Sequence, residues 1–197
     1  MAVMRRLAVP FLLAAVLTGC SSAEQGSPSA GDKTGAAPTT GSSAGTTPVN
    51  RPKAVDLKAL DPCTLITPEV KTALGVRVVG PRDPLPDYGE GSKTCTANFE
   101  DRTYVSSIYT LVNGGVDRLK RTVGEAELTP LQVAGYPAYV NKVPKAGLGP
   151  GCDVYIDATD GQLLLVGATG DSKSTVDATC EQAKKVANAV GPVLATK

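Results

Sequence analysis

Five cysteines, at positions 20, 63, 95, 152 and 180, constrain this 197-residue chain more than any other feature, because the first stands apart from the other four. Cys20 closes the run Leu17-Thr18-Gly19-Cys20, which follows Arg5, Arg6 and an apolar stretch from Leu7 to Leu17. That stretch is 11 residues long, against about 20 for a helix that spans a bilayer, so it fits the core of an export signal. Small residues at Thr18 and Gly19 suit a signal peptidase, and the thiol that follows is the nucleophile that lipid attachment needs. Cleavage before Cys20 and acylation of its thiol are the expected processing. The mature chain is then expected on the extracytoplasmic face of the cell membrane, held there by lipid.

Export to an oxidising compartment sets the chemistry of the remaining four. An even count, Cys63, Cys95, Cys152 and Cys180, reads as two disulfides. Of three possible connectivities, Cys63 with Cys95 and Cys152 with Cys180 is favoured, because it gives each half of the domain its own staple. Each bond closes a loop of about 30 residues and contributes roughly 3.5 kcal/mol by the chain-entropy argument. A four-cysteine metal site is the alternative, but no C-x-x-C spacing is present and the chain has no histidine to share the ligation. No metal and no cofactor is therefore expected. The staples matter because bulk is scarce: beyond Cys20 there is no Trp, one Phe (Phe99) and six Tyr.

Composition divides the chain into three parts: an export signal over 1–19, a tether over 20–52 and a folded domain over 53–197. Between Ser21 and Pro52, 25 of 32 residues are Gly, Ala, Ser, Thr or Pro, too little apolar surface to offset the entropy of ordering. As a coil this tether spans roughly 30 Å, and about 100 Å when straight. It contains the G-x-S-x-G pattern Gly41-Ser42-Ser43-Ala44-Gly45, without the flanking strand and helix that a nucleophile elbow requires. Loss of the signal removes Arg5 and Arg6 and no acid, turning a formal net charge of +1 into −1. Nothing in that balance favours nucleic acid.

Within the domain, Asp61-Pro62 and Thr67-Pro68 each set a capping side chain before a first-turn proline, and Gly75 ends the short helix they open. Thr94 to Phe99 and Thr103 to Val112 form one expected hairpin, and Val116, Leu119 and Val123 recur at helical spacing after it. Leu131 to Val133 and Ala138 to Val143 flank Ala134-Gly135-Tyr136-Pro137 as a second hairpin. Cys152 to Ala158 and Gln162 to Ala168 pair about Asp160-Gly161 as a third. Between them, Lys142 to Gly151 reads as a long flexible loop. A last helix starts at a capping box, Ser174-Thr175-Val176-Asp177, carries Val176, Cys180, Ala183, Ala187 and Val190 on one face, and stops at Gly191-Pro192. The fold class expected is α+β: one antiparallel sheet of hairpins, covered on one side by the C-terminal helix and shorter helices.

Leu60-Asp61-Pro62-Cys63, Cys95 opening a strand pair, Gly135-Tyr136-Pro137-Ala138, Gly151-Cys152 leading a strand, and Cys180-Glu181-Gln182-Ala183 in the terminal helix together resemble the actinobacterial lipoproteins of domain-of-unknown-function family 3558. The resemblance runs from about Leu57 to Leu194 and extends to the export signal and linker. It implies two disulfides and an envelope location, and it implies no chemistry. One departure is Thr96-Ala97-Asn98, which precedes Phe99 where the family tends to place an aromatic sooner after its second cysteine.

Without histidine, Ser-His-Asp and Cys-His centres and His-bearing zinc sites are excluded. Asp153 and Asp157 share a strand face, but four residues at about 3.3 Å place them about 13 Å apart, beyond glycosidase spacing; they read as a solvated face. Gly167 to Ser174 imitates a phosphate loop, with Ser172 where a second glycine is needed. Tyr104, Tyr109, Tyr136 and Tyr139 are the candidate binding surface, able to grip a glycan, lipid or peptide. The expectation is a non-catalytic binding or interaction module whose partners are the membrane, through Cys20, and an envelope protein, glycan or lipid. A structural accessory of an envelope complex and a carboxylate-based hydrolase are the alternatives. With no histidine, stability is expected to be nearly flat from about pH 5 to 8.

Overall fold

The computed structural model describes residues 49–146 and 149–197. The export signal, Cys20, most of the expected tether and the Gly41 to Gly45 pattern lie outside the described residues. Seven strands, β1 (Val76–Arg82), β2 (Thr94–Phe99), β3 (Tyr104–Leu111), β4 (Leu128–Val133), β5 (Tyr136–Ala146), β6 (Gly149–Thr159) and β7 (Gln162–Gly170), form one sheet in the order β1-β2-β3-β7-β6-β5-β4. Every neighbouring pair is antiparallel. Three helices join them: α1 (Pro68–Leu74), α2 (Gly115–Val123) and α3 (Val176–Leu194).

The punctuation residues act as their chemistry dictates. Thr67 accepts a hydrogen bond from the Val70 N–H at 3.3 Å to open α1, and Gly75 closes it in the left-handed conformation. Ala134 and Gly135, both at positive φ, turn β4 into β5, the geometry that matches the twist of a tight hairpin. Asp160-Gly161 turns β6 into β7, with Gly161 at positive φ. A 3-10 turn over Pro62–Leu65 is capped by Asp61, whose carboxylate accepts from the Cys63 N–H at 2.9 Å.

One face of the sheet is the main core. Ala97, Ile108, Val140, Val154, Ile156, Leu164 and Val166 meet the stripe Cys180, Ala183, Val186, Ala187, Val190 and Leu194 of α3. α1 and the arm residues Val55, Leu57 and Leu60 complete it. Both staples anchor this face: Cys63–Cys95 ties the 3-10 turn to β2 and Cys152–Cys180 ties β6 to α3. The pairing is the one favoured from chain order.

Three expectations need correction, and one strand, β1, is not anticipated at all. The helices do not all lie on one side: α2 packs Leu119 on the opposite face, with Leu111, Leu163, Leu165 and Tyr155. β1 is a strand despite Gly80 and Pro81, which an edge strand tolerates because one side of its backbone has no partner. Lys142 to Gly151 is largely strand, with β5 reaching Ala146 and β6 starting at Gly149; residues 147–148 lie outside the described set. α3 is capped by Thr175 and runs through Pro192 to Leu194. There Gly191 lets the β4–β5 turn approach, since a Cβ on it would sit 2.6 Å from Val133 Cγ1.

The folded body also takes in Arg51, upstream of Lys53, where composition places the domain start. Its guanidinium bridges both carboxylate oxygens of Asp157 at 2.8 and 2.9 Å, the Asp157 carbonyl at 3.1 Å and Asp160 at 2.8 Å. Val55 continues the arm by donating its N–H to the Ala158 carbonyl at 3.0 Å.

Candidate functional site

The face opposite α3 is built from cross-strand rows, because every second residue of a strand points to it. Beneath α2, Leu163 on β7 stands opposite Leu111 on β3 and, on its other side, opposite Asp157 on β6. The next row is aromatic: Pro130, Tyr139, Tyr155, Leu165, Tyr109 and Thr94 stand side by side from β4 to β2. Tyr88, from the turn before β2, meets Tyr109 edge to face with ring centroids 5.1 Å apart. A polar row follows, Asn141, Asp153, Gly167, Ser107 and Thr96. The last row, Val143, Gly151, Thr169, Val105, Asn98 and Val78, is beyond the reach of α2. In it Val78 and Val105 are 48% and 39% exposed.

This register separates the four tyrosines singled out in the sequence. Tyr109 and Tyr139 belong to the aromatic row. Tyr104 packs on the core beside α3, and Tyr136 is 0% exposed within it. The reason is the strand period: Tyr104 and Tyr109 are five apart, Tyr136 and Tyr139 three apart, and odd separations on one strand give opposite faces. Tyr88 and Tyr155 take the vacated places, although neither stands out from its sequence neighbourhood.

Asp153 and Asp157 do share a face, but neither is solvated. Asp157 is 3% exposed and committed to Arg51. Burial lifts its carboxyl above the ordinary range more than Arg51 draws it down. Asp153 is partly buried beside Tyr155, whose hydroxyl donates to Oδ2 at 3.3 Å. Its Oδ1 lies over Gly167, where a Cβ would stand only 3.0 Å away. Loss of water pushes the Asp153 carboxyl up to about 6, and the Tyr155 hydrogen bond offsets only part of that rise. Desolvation also raises Tyr155, and lifts Tyr88 to about 12. An acid that titrates near pH 6 contradicts the expected flat response between pH 5 and 8.

The sequence model of a family described as protein of unknown function, DUF3558, matches residues 15–192. The chain belongs to this family. Comparison with curated proteins and with solved structures gives no match. In this DUF3558 protein two open depressions flank α2, of about 600 and about 560 Å³. The first holds Lys120 and Glu125, ion-paired at 2.7 Å; the second holds the Arg51 bridge to Asp157 and Asp160. Those charges are spent on one another. Among the described residues no group of His, Cys, Asp and Glu is arranged to hold a metal ion, and no helix is long and apolar enough to cross a membrane. The stretch that imitates a phosphate loop belongs to β7, antiparallel to both its neighbours, followed by a turn in which Asp171 accepts from the Ser174 hydroxyl at 2.8 Å.

Proposed function

We propose that this DUF3558 protein is an extracytoplasmic lipoprotein, held to the cell membrane through acylated Cys20, whose domain is a non-catalytic binding or interaction module of the cell envelope. One observation carries the binding half of this reading. Half of a sheet face is left uncovered, with exposed Val78 and Val105 next to a polar row and a tyrosine row. Exposed apolar side chains grouped beside fixed polar groups are what a recognition surface presents. The anchor is supported by the extent of the family match, which begins at residue 15 and takes in Leu17-Thr18-Gly19-Cys20. The non-catalytic half is supported by the isolation of Asp153: its companion on the same strand face, Asp157, is tied to Arg51. The partner is an envelope protein, glycan or lipid.

Two variants test the two halves. Cys20→Ser is expected in the medium or as an uncleaved precursor, and normal acylation with membrane retention would overturn the anchor. Val78→Arg with Val105→Arg, in the intact lipoprotein captured from envelope extracts, is expected to lose its co-purifying partner by about tenfold or more. Undiminished capture would reject the surface.

A further inference from the structure

We propose that Pro81 and Pro130 close both edges of the sheet to strand addition, so that the domain stays a monomer and no partner joins it by extending the sheet. This goes beyond the reading of the open face and does not rest on it. An edge strand turns the N–H and C=O of every second residue outward, and that row is a template for another strand. Which residues turn outward follows from the alternation of hydrogen-bonded and non-hydrogen-bonded pairs in an antiparallel ladder. The edge strands here are β1 and β4.

On β1 the phase is set through β2. The Thr110 N–H donates to the Lys93 carbonyl at 3.0 Å. In the register that aligns Thr94 with Tyr109, this makes Lys93, Cys95 and Ala97 the residues whose backbone turns to β3. Thr94, Thr96 and Asn98 therefore turn to β1, where they meet Arg82, Gly80 and Val78. Val79 and Pro81, between those partners, direct their backbone away from the sheet, and Pro81 has no N–H to offer. Further along, the bulge between Val76 and Val78 interrupts the ladder at the exposed Arg77.

On β4 the phase is set by the hairpin. Ala134 and Gly135, at φ 49° and 84°, are its two-residue turn, so Val133 and Tyr136 form a hydrogen-bonded pair. Leu131 with Ala138 and Thr129 with Val140 are then hydrogen-bonded in turn. Leu128, Pro130 and Gln132 are left to face outward. Pro130 has no N–H, and the Leu128 N–H is given to the Glu125 carbonyl. Gln132 remains as the outward donor of β4, as Val79 does in the regular ladder of β1.

The consequence is plainest for a second copy of the chain. Two β4 strands related by a two-fold axis at Leu131 would set residue 130 of each against Gln132 of the other, and half of the hydrogen bonds between them would have to come from the nitrogen of Pro130. The proline ring also occupies the side from which the new strand must approach. Copies anchored through Cys20, as proposed above, would share one membrane surface and meet often, which is where an open edge is most hazardous.

The test restores the missing donors in the full lipoprotein, held in density-matched detergent micelles. Pro130→Val returns an outward N–H to β4 and keeps an apolar side chain beside Tyr139, and Pro81→Val does the same for β1. Sedimentation velocity gives the oligomeric state, and amide hydrogen exchange shows which edge is covered. Wild type is expected to be a monomer whose Gln132 and Val79 amides exchange rapidly. Pro130→Val is expected to self-associate at least tenfold more tightly, with exchange at Gln132 slowed about tenfold as concentration rises. Pro81→Val should associate through Val79, less tightly, because the bulge at Arg77 remains. Thr129→Val adds a valine to β4 without an outward N–H and should stay monomeric, while Pro130→Ala restores the donor with a smaller side chain and serves where valine prevents folding. A wild type already paired through either edge, folded Pro130 and Pro81 variants that stay monomeric, or association of Thr129→Val equal to that of Pro130→Val would overturn the proposal.

Discussion

The two faces of the sheet solve the same burial problem with different materials. Under α3 the side chains are aliphatic, closely fitted and stapled, with Val154, Ile156, Leu164, Val166, Val186 and Val190 all at 0% exposure. Across the sheet the core is smaller, leans on tyrosine and ends halfway along the strands, where α2 ends. The difference teaches where this domain keeps its stability and where it keeps freedom for other work. A face built from branched aliphatics and a cross-linked helix holds the fold; a face built from phenols, one acid and two exposed valines leaves side chains open to solvent.

The comparison can be broken most directly by cutting into each core. Ile156→Ala on the α3 face is expected to cost about 4 kcal/mol, while Leu119→Ala under α2 is expected to cost about 2, because a short surface helix can settle into the gap. Urea denaturation monitored by circular dichroism measures both. Equal losses would mean that the second face is as much a structural core as the first.

A middle-sized effect separates the faces by pH. Folded, the Asp153 carboxyl titrates near 6; unfolded, it titrates near its usual value of about 3.9. Between those values the folded chain holds a proton that the unfolded chain has released. The stabilising contribution is complete below about pH 4 and is lost as pH rises through 6, a total of about 3 kcal/mol. Asp157, raised in the same direction, adds to that slope. Asp153→Asn should flatten most of it and make the domain more stable at pH 7. Thermal denaturation from pH 4 to 8 reads the outcome, and a wild-type curve already flat across the range would return Asp153 to a solvated surface.

The smallest effect sharpens the picture of the α3 face, where the Tyr136 hydroxyl is buried without a hydrogen-bond partner among the described residues. Tyr136→Phe is expected to raise stability by roughly 1 kcal/mol. A measurable loss would show that the hydroxyl has a partner after all, such as a trapped water.

Much of the fold is legible in the chain because its punctuation is local. Thr67, Gly75, Ala134-Gly135 and Asp160-Gly161 act within a few residues of where they stand, and the four cysteines pair as neighbours along the sequence. What escapes is whatever depends on a distant strand. Pro81 is acceptable only because β1 lies at the edge, and Gly191 is needed only because Val133 of β4 packs against it. The tyrosines were half legible: counting their separations in twos would have divided them by face. Asp153 was not legible at all, since its burial comes from Tyr155 on its own strand together with neighbours on β5, β7 and β3 that no local pattern brings together.

Arg51 and the Cys63–Cys95 bond also determine how the domain answers to force. A pull arriving from upstream meets the Arg51 bridge first, then the Val55 to Ala158 bond, then the Leu57 N–H bond to Gln162 and the buried Leu57 and Leu60 side chains. The slack released ends at Cys63, where a covalent link passes the load sideways into β2 and so into the sheet. The arm thus yields in stages before a hard stop, its buried side chains leaving the core before β2 takes the load.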